Sequence, residues 1–466
     1  MASIPQSQNF DIKNGANMPT LMNAMANDVP ALAAMPRANA DNVLEVGAFI
    51  NSDASIQNAF LNALLNRIAY SYISSRMYEN PLAPLKRGFL DYGERIEEIF
   101  IDICRPYQYD PAVAESEIFK RVTPDVQTAF HVVNYYKFYK QTIESSRLQQ
   151  AFLNWNDLGA MIYGIIDTMY KSANYDEYLM TKYMLARAAL DGRMKAVEIG
   201  AVTTADGIKS ATQTIKATYN KFNFLSRDYN YAGVANDVAP EDRFIVTTAD
   251  FEANMDVNVL ASAFNLPYAD FLAQRVMIDS FTEWDTKRLT QLFENQDVFE
   301  AFTEDELETL GTVTAMAIDR NFLQIYDANM RFGEVENVQG LYFNYWLHQW
   351  KIFSTSPFAN AAVFTSTEGT ITGIDVGPAN SVTLPKGASY TFTATVEGTG
   401  IFNKGVDFVL PSPTPSAGTF SASVAGNKCT VTISADYVNG SPVNIRAKAK
   451  GDPTKTASFG IGPVSS

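Results

Sequence analysis

The chain has 466 residues, is 47% hydrophobic and 12% aromatic, and carries a net charge of −15. That length supports two or three domains with a sizeable core, and that apolar content excludes a mainly disordered protein. The acidic balance, all of it before Thr367, disfavours tight, direct nucleic-acid binding.

Cys104 and Cys429 are the only cysteines. They fall in different predicted domains and have no metal-type spacing, so a reducing site of synthesis is expected. The opening MASIPQSQNFDIKNG has no basic region followed by an apolar one, and no run of about 18 apolar residues exists to span a membrane. A soluble protein without a signal peptide is the expectation.

Residues 1–40, rich in Ala, Asn, Met and Pro, read as an extended arm with at most a short helix around Leu21 to Ala26. Met18, Met22, Met25 and Met35 could pad a neighbouring subunit, or the segment could be a frayed terminus. Ile56, Phe60, Leu61, Leu64 and Leu65 recur at helical spacing after the capping residues Ser52 and Asp53. Tyr70 to Tyr78 alternates as a strand, and so do Ile99, Ile101 and Ile103 against Glu98, Phe100 and Asp102. Together they predict an extended hairpin over about 70–105. Its polar tip carries Lys86, Arg87, Gly88, Phe89, Tyr92 and Gly93. A hairpin this long gains little from packing on itself, so it either lies free on the surface or is covered by something else.

Tyr135, Tyr136, Phe138 and Tyr139 predict a sheet edge or packed strand. His131 and His348, the only histidines, sit among aromatics and read as packed or hydrogen-bonded side chains. Helical spacing runs from Leu148 to Leu190, with Phe152, Trp155, Leu158, Met161, Ile162, Ile165, Ile166 and Met169 on one stripe. A break near Asn174 divides a first long helix, about 148–172, from a second segment. Strands follow at Lys195 to Val202, Arg243 to Thr247 and Arg275 to Phe281, with helices at Asp206 to Phe222 and Asp250 to Phe264. Without a regular βαβ repeat or a Gly-rich turn after a strand, this is α+β.

Val313 to Ala317 and Phe322 to Tyr326 predict strands joined at Asp319-Arg320-Asn321. Leu341 to Phe353 has large side chains on both sides, which predicts a long strand covered on both faces. After Phe364 the composition changes. Short strands at Ile371 to Val376, Tyr390 to Val396, Val406 to Val409, Cys429 to Ser434, Val443 to Ala449 and Ala457 to Ile461 alternate with Gly and Pro clusters, and predict a β-sandwich over 367–466.

Several of these blocks resemble the major capsid proteins of small short-tailed, phi-29-like bacteriophages. The run IDRNFLQIYD, then GLYFNYWLHQW and FANAAVF, looks like their closing segment. NPL, KRG, ERIEEIFIDI and QYD look like their protruding loop, and PDVQTAFHVVNYYKFYKQTIE and FEANMDVNVLASAFN are similar to further family runs. IDVGPANSVTLPKGASYTFTATVEG resembles a group 2 bacterial immunoglobulin-like (BIG2-like) domain, whose role would be display, weak adhesion or stabilisation. The resemblance implies an HK-97-type phage capsid fold over 41–366, followed by an all-β immunoglobulin-like sandwich. It also implies a loop lying across the adjacent subunit, with Lys86, Arg87, Phe89 and Tyr92 as contact candidates. The chain would then be a virion protein, assembled in the host cytoplasm as pentamers and hexamers into an icosahedral or prolate head. Its partners would be a scaffolding protein, a portal protein and enclosed double-stranded DNA. Some capsids of this fold cross-link their loops through lysine, and Lys86 is the lysine at this tip.

No G-x-S-x-G, H-E-x-x-H or G-x-x-x-x-G-K-[ST] occurs. Carboxylate groups such as Glu97-Glu98 and Glu304 to Glu308 read as solvated surface. No catalytic residue, metal or cofactor is expected. The alternatives are a cell-surface adhesion protein using the immunoglobulin-like domain and, more remotely, a carbohydrate-active enzyme.

Overall fold

The computed structural model describes residues 18–53, 55–61, 63–64, 79–90, 95–104, 106–107, 124, 126–144, 155–255, 274–294, 298–337, 339–385, 387–410, 420–433 and 443–461. The expected strand at 70–78, and Tyr92 and Gly93, lie outside them.

Three short or edge strands come first: β1 (Gly88–Phe89), β2 (Arg95–Ile101) and β3 (Val126–Val132), followed by β4 (Tyr135–Glu144). The aromatic run becomes β10 (Tyr342–Thr355), which pairs antiparallel with the 15-residue β9 (Leu323–Asn337) on one side and with β4 on the other. With β1 these make a four-stranded sheet in the order β1-β9-β10-β4. Phe343, Tyr345 and Leu347 alternate onto one face and are buried. They meet α1 (Met18–Asp28), α2 (Val43–Ile50) and, through Met169 and Ala173, the long helix α3 (Trp155–Leu190).

Two expectations are corrected here. Met18, Met22, Met25 and Met35 are buried against this chain's own sheet, so 18–40 is not an extended arm. The i, i+3, i+4 spacing of Met18, Leu21, Met22 and Met25 gives α1 one apolar stripe, and the sheet underside covers it. The break near Asn174 is absent as well: α3 runs unbroken for 36 residues, about 54 Å. Asparagine costs a helix only a fraction of a kcal/mol, and no Gly or Pro occurs between Ile165 and Leu190.

The second sheet has five strands in the order β5-β11-β8-β6-β7 (β5 Lys195–Glu198, β6 Arg243–Thr248, β7 Arg275–Ile278, β8 Val313–Asp319, β11 Ala361–Thr365). Every residue of β8 and β11 is buried, because both faces are covered. Val246, Met316, Ile318 and Val363 pack on the C-terminal half of α3. Ile245, Ala315, Ala317 and Phe364 pack on Ile208, Ala211 and Ile215 of α4 (Ala205–Lys221). The expected turn between β8 and β9 is present, with the Asn321 N–H donating to Asp319 Oδ1 at 2.9 Å. It carries the chain out of one sheet and into the other.

From Thr370 onward come β12 (Thr370–Gly377), β13 (Ser381–Val382), β14 (Ser389–Thr399), β15 (Val406–Val409), β16 (Phe420–Ala425), β17 (Lys428–Ile433), β18 (Val443–Ala449) and β19 (Thr456–Ile461). They form two four-stranded sheets that face each other, in orders β12-β14-β17-β16 and β13-β19-β18-β15. Phe392, Val431, Ile433, Ile445 and Phe459 fill the space between, with Phe392 and Phe459 rings 4.7 Å apart. All six expected strands are there, together with Ser381–Val382 and Phe420–Ala425. Those two were too short or too Ser/Ala-rich to show alternation.

Candidate functional site: the assembly surfaces

Lys86 belongs to a buried ion cluster of this same chain, not to a free loop tip. Its Nζ lies 2.8 Å from Glu177 on α3 and 2.6 Å from Asp327 on β9. Lys351 on β10 also pairs with Glu177, and with Asp327 at 3.2 Å. Burial alone would raise the Glu177 carboxyl, but Lys351 and Lys86 outweigh it and hold it at about 2. The backbone beside Lys86 is fastened too: the Arg87 N–H donates to the Ile325 carbonyl, and Gly88–Phe89 pairs in parallel with Tyr326–Asp327. Arg87 and Phe89 stay exposed. The one local sign of this cluster in the sequence is Asp176-Glu177, two adjacent acids in the middle of the long helix. Both are buried, and Asp176 is clasped by Arg288 through two bonds of 2.7 and 2.8 Å while the Tyr139 hydroxyl donates to it.

The predicted strand at Ile99 is also found; the partner expected for it, 70–78, lies outside the described residues. Strand β2 pairs antiparallel with β3, from Arg95↔Val132 to Ile101↔Val126. Among the described residues this ribbon has two strands. Its inner side is tied to the body. Phe100 stacks on Phe358 at 5.6 Å, Ser356 donates to Glu98, and buried His131 bridges Glu98 (3.1 Å) and Ser354 (2.8 Å). The packed, hydrogen-bonded histidine expected from the sequence is what stands there. The outer side is open and apolar: Ile99, Ile101, Val126, Phe130 and Val132 are all exposed, Ile101 by 64%.

A second open surface adjoins it. The face of β10 away from the helices was expected to be covered. Within one chain it is a cross-strand ladder: Tyr136 against Trp350 at 5.7 Å, Phe138 against His348 at 5.6 Å, and Lys140 over Trp346 at 5.7 Å. Tyr136 and Phe138 are more than half exposed.

Asp319, at the turn between the sheets, is 3% exposed. Burial raises its carboxyl to about 6 against the pull of the Asn321 N–H, and Asp242 adds to the rise. A raised carboxyl favours the fold below its ordinary value of 3.8, and that contribution is lost as pH rises through 6. Asp319→Asn is therefore expected to stabilise the unassembled subunit by about 3 kcal/mol at pH 7.5, a gain that about halves by pH 5. Denaturant unfolding at both pH values checks this; an equal gain at both would refute it.

Among the described residues no group of three or more His, Cys, Asp or Glu is placed to hold a metal ion, and no helix is long and apolar enough to cross a membrane. Within one chain, then, a packed body leaves two apolar surfaces open, the outer ribbon face and the β4–β10 ladder. The Phi29-like phage major capsid protein model matches residues 22–365. The major capsid protein of Bacillus phage GA-1 is 34% identical over 367 residues, covering 77% of this chain and 72% of that protein. That of Streptococcus phage Cp-1 is 26% identical, covering 65% and 81%. A capsid chain of Staphylococcus phage Andhra is similar in structure, with a TM-score of 0.49 and 16% identity over 63% of this chain and 86% of that one. The chain belongs to the Phi29-like phage major capsid protein family, and it is a virion protein with the α+β architecture expected of it.

Proposed function

We propose that copies of this chain form pentamers and hexamers that close into an icosahedral or prolate head, with the ribbon β2–β3 and the 82–90 segment reaching over neighbouring copies. The observation that carries this is the one-sided ribbon. An isolated two-stranded ribbon is marginal in water, and among the described residues this one has two strands, its inner face pinned and its outer apolar face exposed. In this reading Arg87 and Phe89 touch the neighbour, and Lys86 holds their backbone in place. With its ammonium in an ion cluster, Lys86 is an anchor and not a cross-linking group. Tyr92 remains a contact candidate on the resemblance alone.

The body spans 41–366, with residues before it as a partly docked N-terminal segment. The C-terminal sandwich, 367–466, is an immunoglobulin-like, BIG2-like domain carried on the head. A scaffolding protein guides assembly in the host cytoplasm, a portal protein occupies one vertex, and double-stranded DNA is enclosed without tight sequence-specific binding. The chain does this without catalysis or a cofactor. Negative-stain electron microscopy of the purified protein, with and without its scaffolding partner, tests the reading. Closed shells or uniform capsomers are expected, and a persistent monomer under both conditions would overturn it.

A further inference from the structure

The loop between β14 (Ser389–Thr399) and β15 (Val406–Val409) joins two cores. Ile401 is 2% exposed and belongs to the core of the body, among α3 and the five-stranded sheet. The next residue, Phe402, belongs to the core of the sandwich. Successive side chains thus enter opposite domains. The receiving surface is shaped for the loop. Gly192 ends α3 at φ +68°, where the Arg193 N–H donates back to the Ala188 carbonyl. A Cβ at Gly192 would lie 2.8 Å from both Phe402 O and Lys404 N. On the sandwich side the loop is held by Asn427, which donates to the Lys404 carbonyl at 2.7 Å and accepts from the Val406 N–H at 3.0 Å. The connection leaves little slack: β11 ends at Thr365, β12 begins at Thr370, and the Ser366 N–H donates to the Thr312 carbonyl.

We propose that loop 400–404 is a rivet that fixes the sandwich to the C-terminal end of α3, so that sandwich and body open as one unit. A module appended for display and free to be removed is not what these contacts describe, since removing it strips the body core of Ile401. The inference is independent of the assembly reading, because it concerns one chain.

The full-length unassembled protein tests it by thermal unfolding and by glutamyl endopeptidase cleavage after Glu368, which is exposed in the connection. Wild type is expected to unfold in a single transition and to resist cleavage. Two variants break the rivet from opposite sides. Ile401→Asp places a charge in the body core. Gly192→Asn keeps a residue that tolerates positive φ but adds a Cβ against the loop backbone. Each is expected to split unfolding into two transitions and to speed cleavage by about tenfold or more. The proposal falls if wild type already unfolds in two transitions and is cleaved readily, or if Gly192→Asn behaves as wild type. Should Ile401→Asp fail to fold, wild type and Gly192→Asn still decide.

Discussion

Glu177→Gln is expected to destabilise the subunit by about 3–5 kcal/mol at neutral pH, the usual cost of removing one partner from a buried ion pair. The substitution leaves Lys351, itself buried, and Lys86 to share Asp327 alone. Two ammonium groups then face one carboxylate in a place where water solvates them poorly. The effect reaches beyond global stability, because Glu177 links α3 to both β10 and the 82–90 segment. Amide hydrogens of Arg87 and Leu90, which donate to Ile325 and Asp327, should exchange faster in the variant. Asp327 is more open than Glu177, with 26% against 7% side-chain exposure, so Asp327→Asn should cost less. The carboxyl of Glu177 is held at about 2 against an ordinary 4.5. Its contribution is therefore present above 4.5 and lost as pH falls through 2. Urea unfolding at pH 7 decides; a loss below about 1 kcal/mol would put the cluster in the class of weak surface pairs.

The second large effect concerns assembly. The double variant Ile99→Asp, Phe130→Asp is expected to leave the subunit folded, with its unfolding midpoint nearly unchanged, and to abolish closed shells. Both side chains are more than half exposed on the outer ribbon face, so the single chain loses little. Burying such a side chain at a contact stabilises it by about 1.5–3 kcal/mol, and the variant forfeits this at every copy. In a closed shell each subunit is held by several such contacts at once, so modest losses multiply into failure. Val424→Asp on the sandwich, where the residue is 49% exposed, is the control and should assemble normally. Normal particles from the double variant would remove the ribbon from the inter-subunit contact.

Much of the body was legible because its strands declare themselves locally. Tyr342–Thr355 and Val313–Asp319 carry β-branched and aromatic residues in dense runs, and the sandwich strands are bounded by Gly and Pro. Pairing was less legible. Alternation in Arg95–Ile101 shows that it is a strand but not that Val126–Val132 lies beside it, since register is set by contacts far apart in sequence. The ion cluster was least legible. Lys86, Glu177, Asp327 and Lys351 sit on four separate elements, and no local pattern announces that their side chains converge. Lys86 looked like a surface charge for that reason. The methionines of α1 misled in the opposite direction: their softness suits a contact with another subunit, yet the same property lets them fill this chain's own sheet underside.

The turn at Asp319 has a mechanical consequence. Strand β9 leaves it and runs for 15 residues, about 50 Å, as the middle of a sheet stiffened by α3. Its root is fixed, because Phe322, Leu323 and Ile325 are buried in one core with the five-stranded sheet, and α3 packs on both sheets. The arm is thus a cantilever: a load applied near Asn337 is carried back along paired strand into the body core instead of being absorbed where it lands.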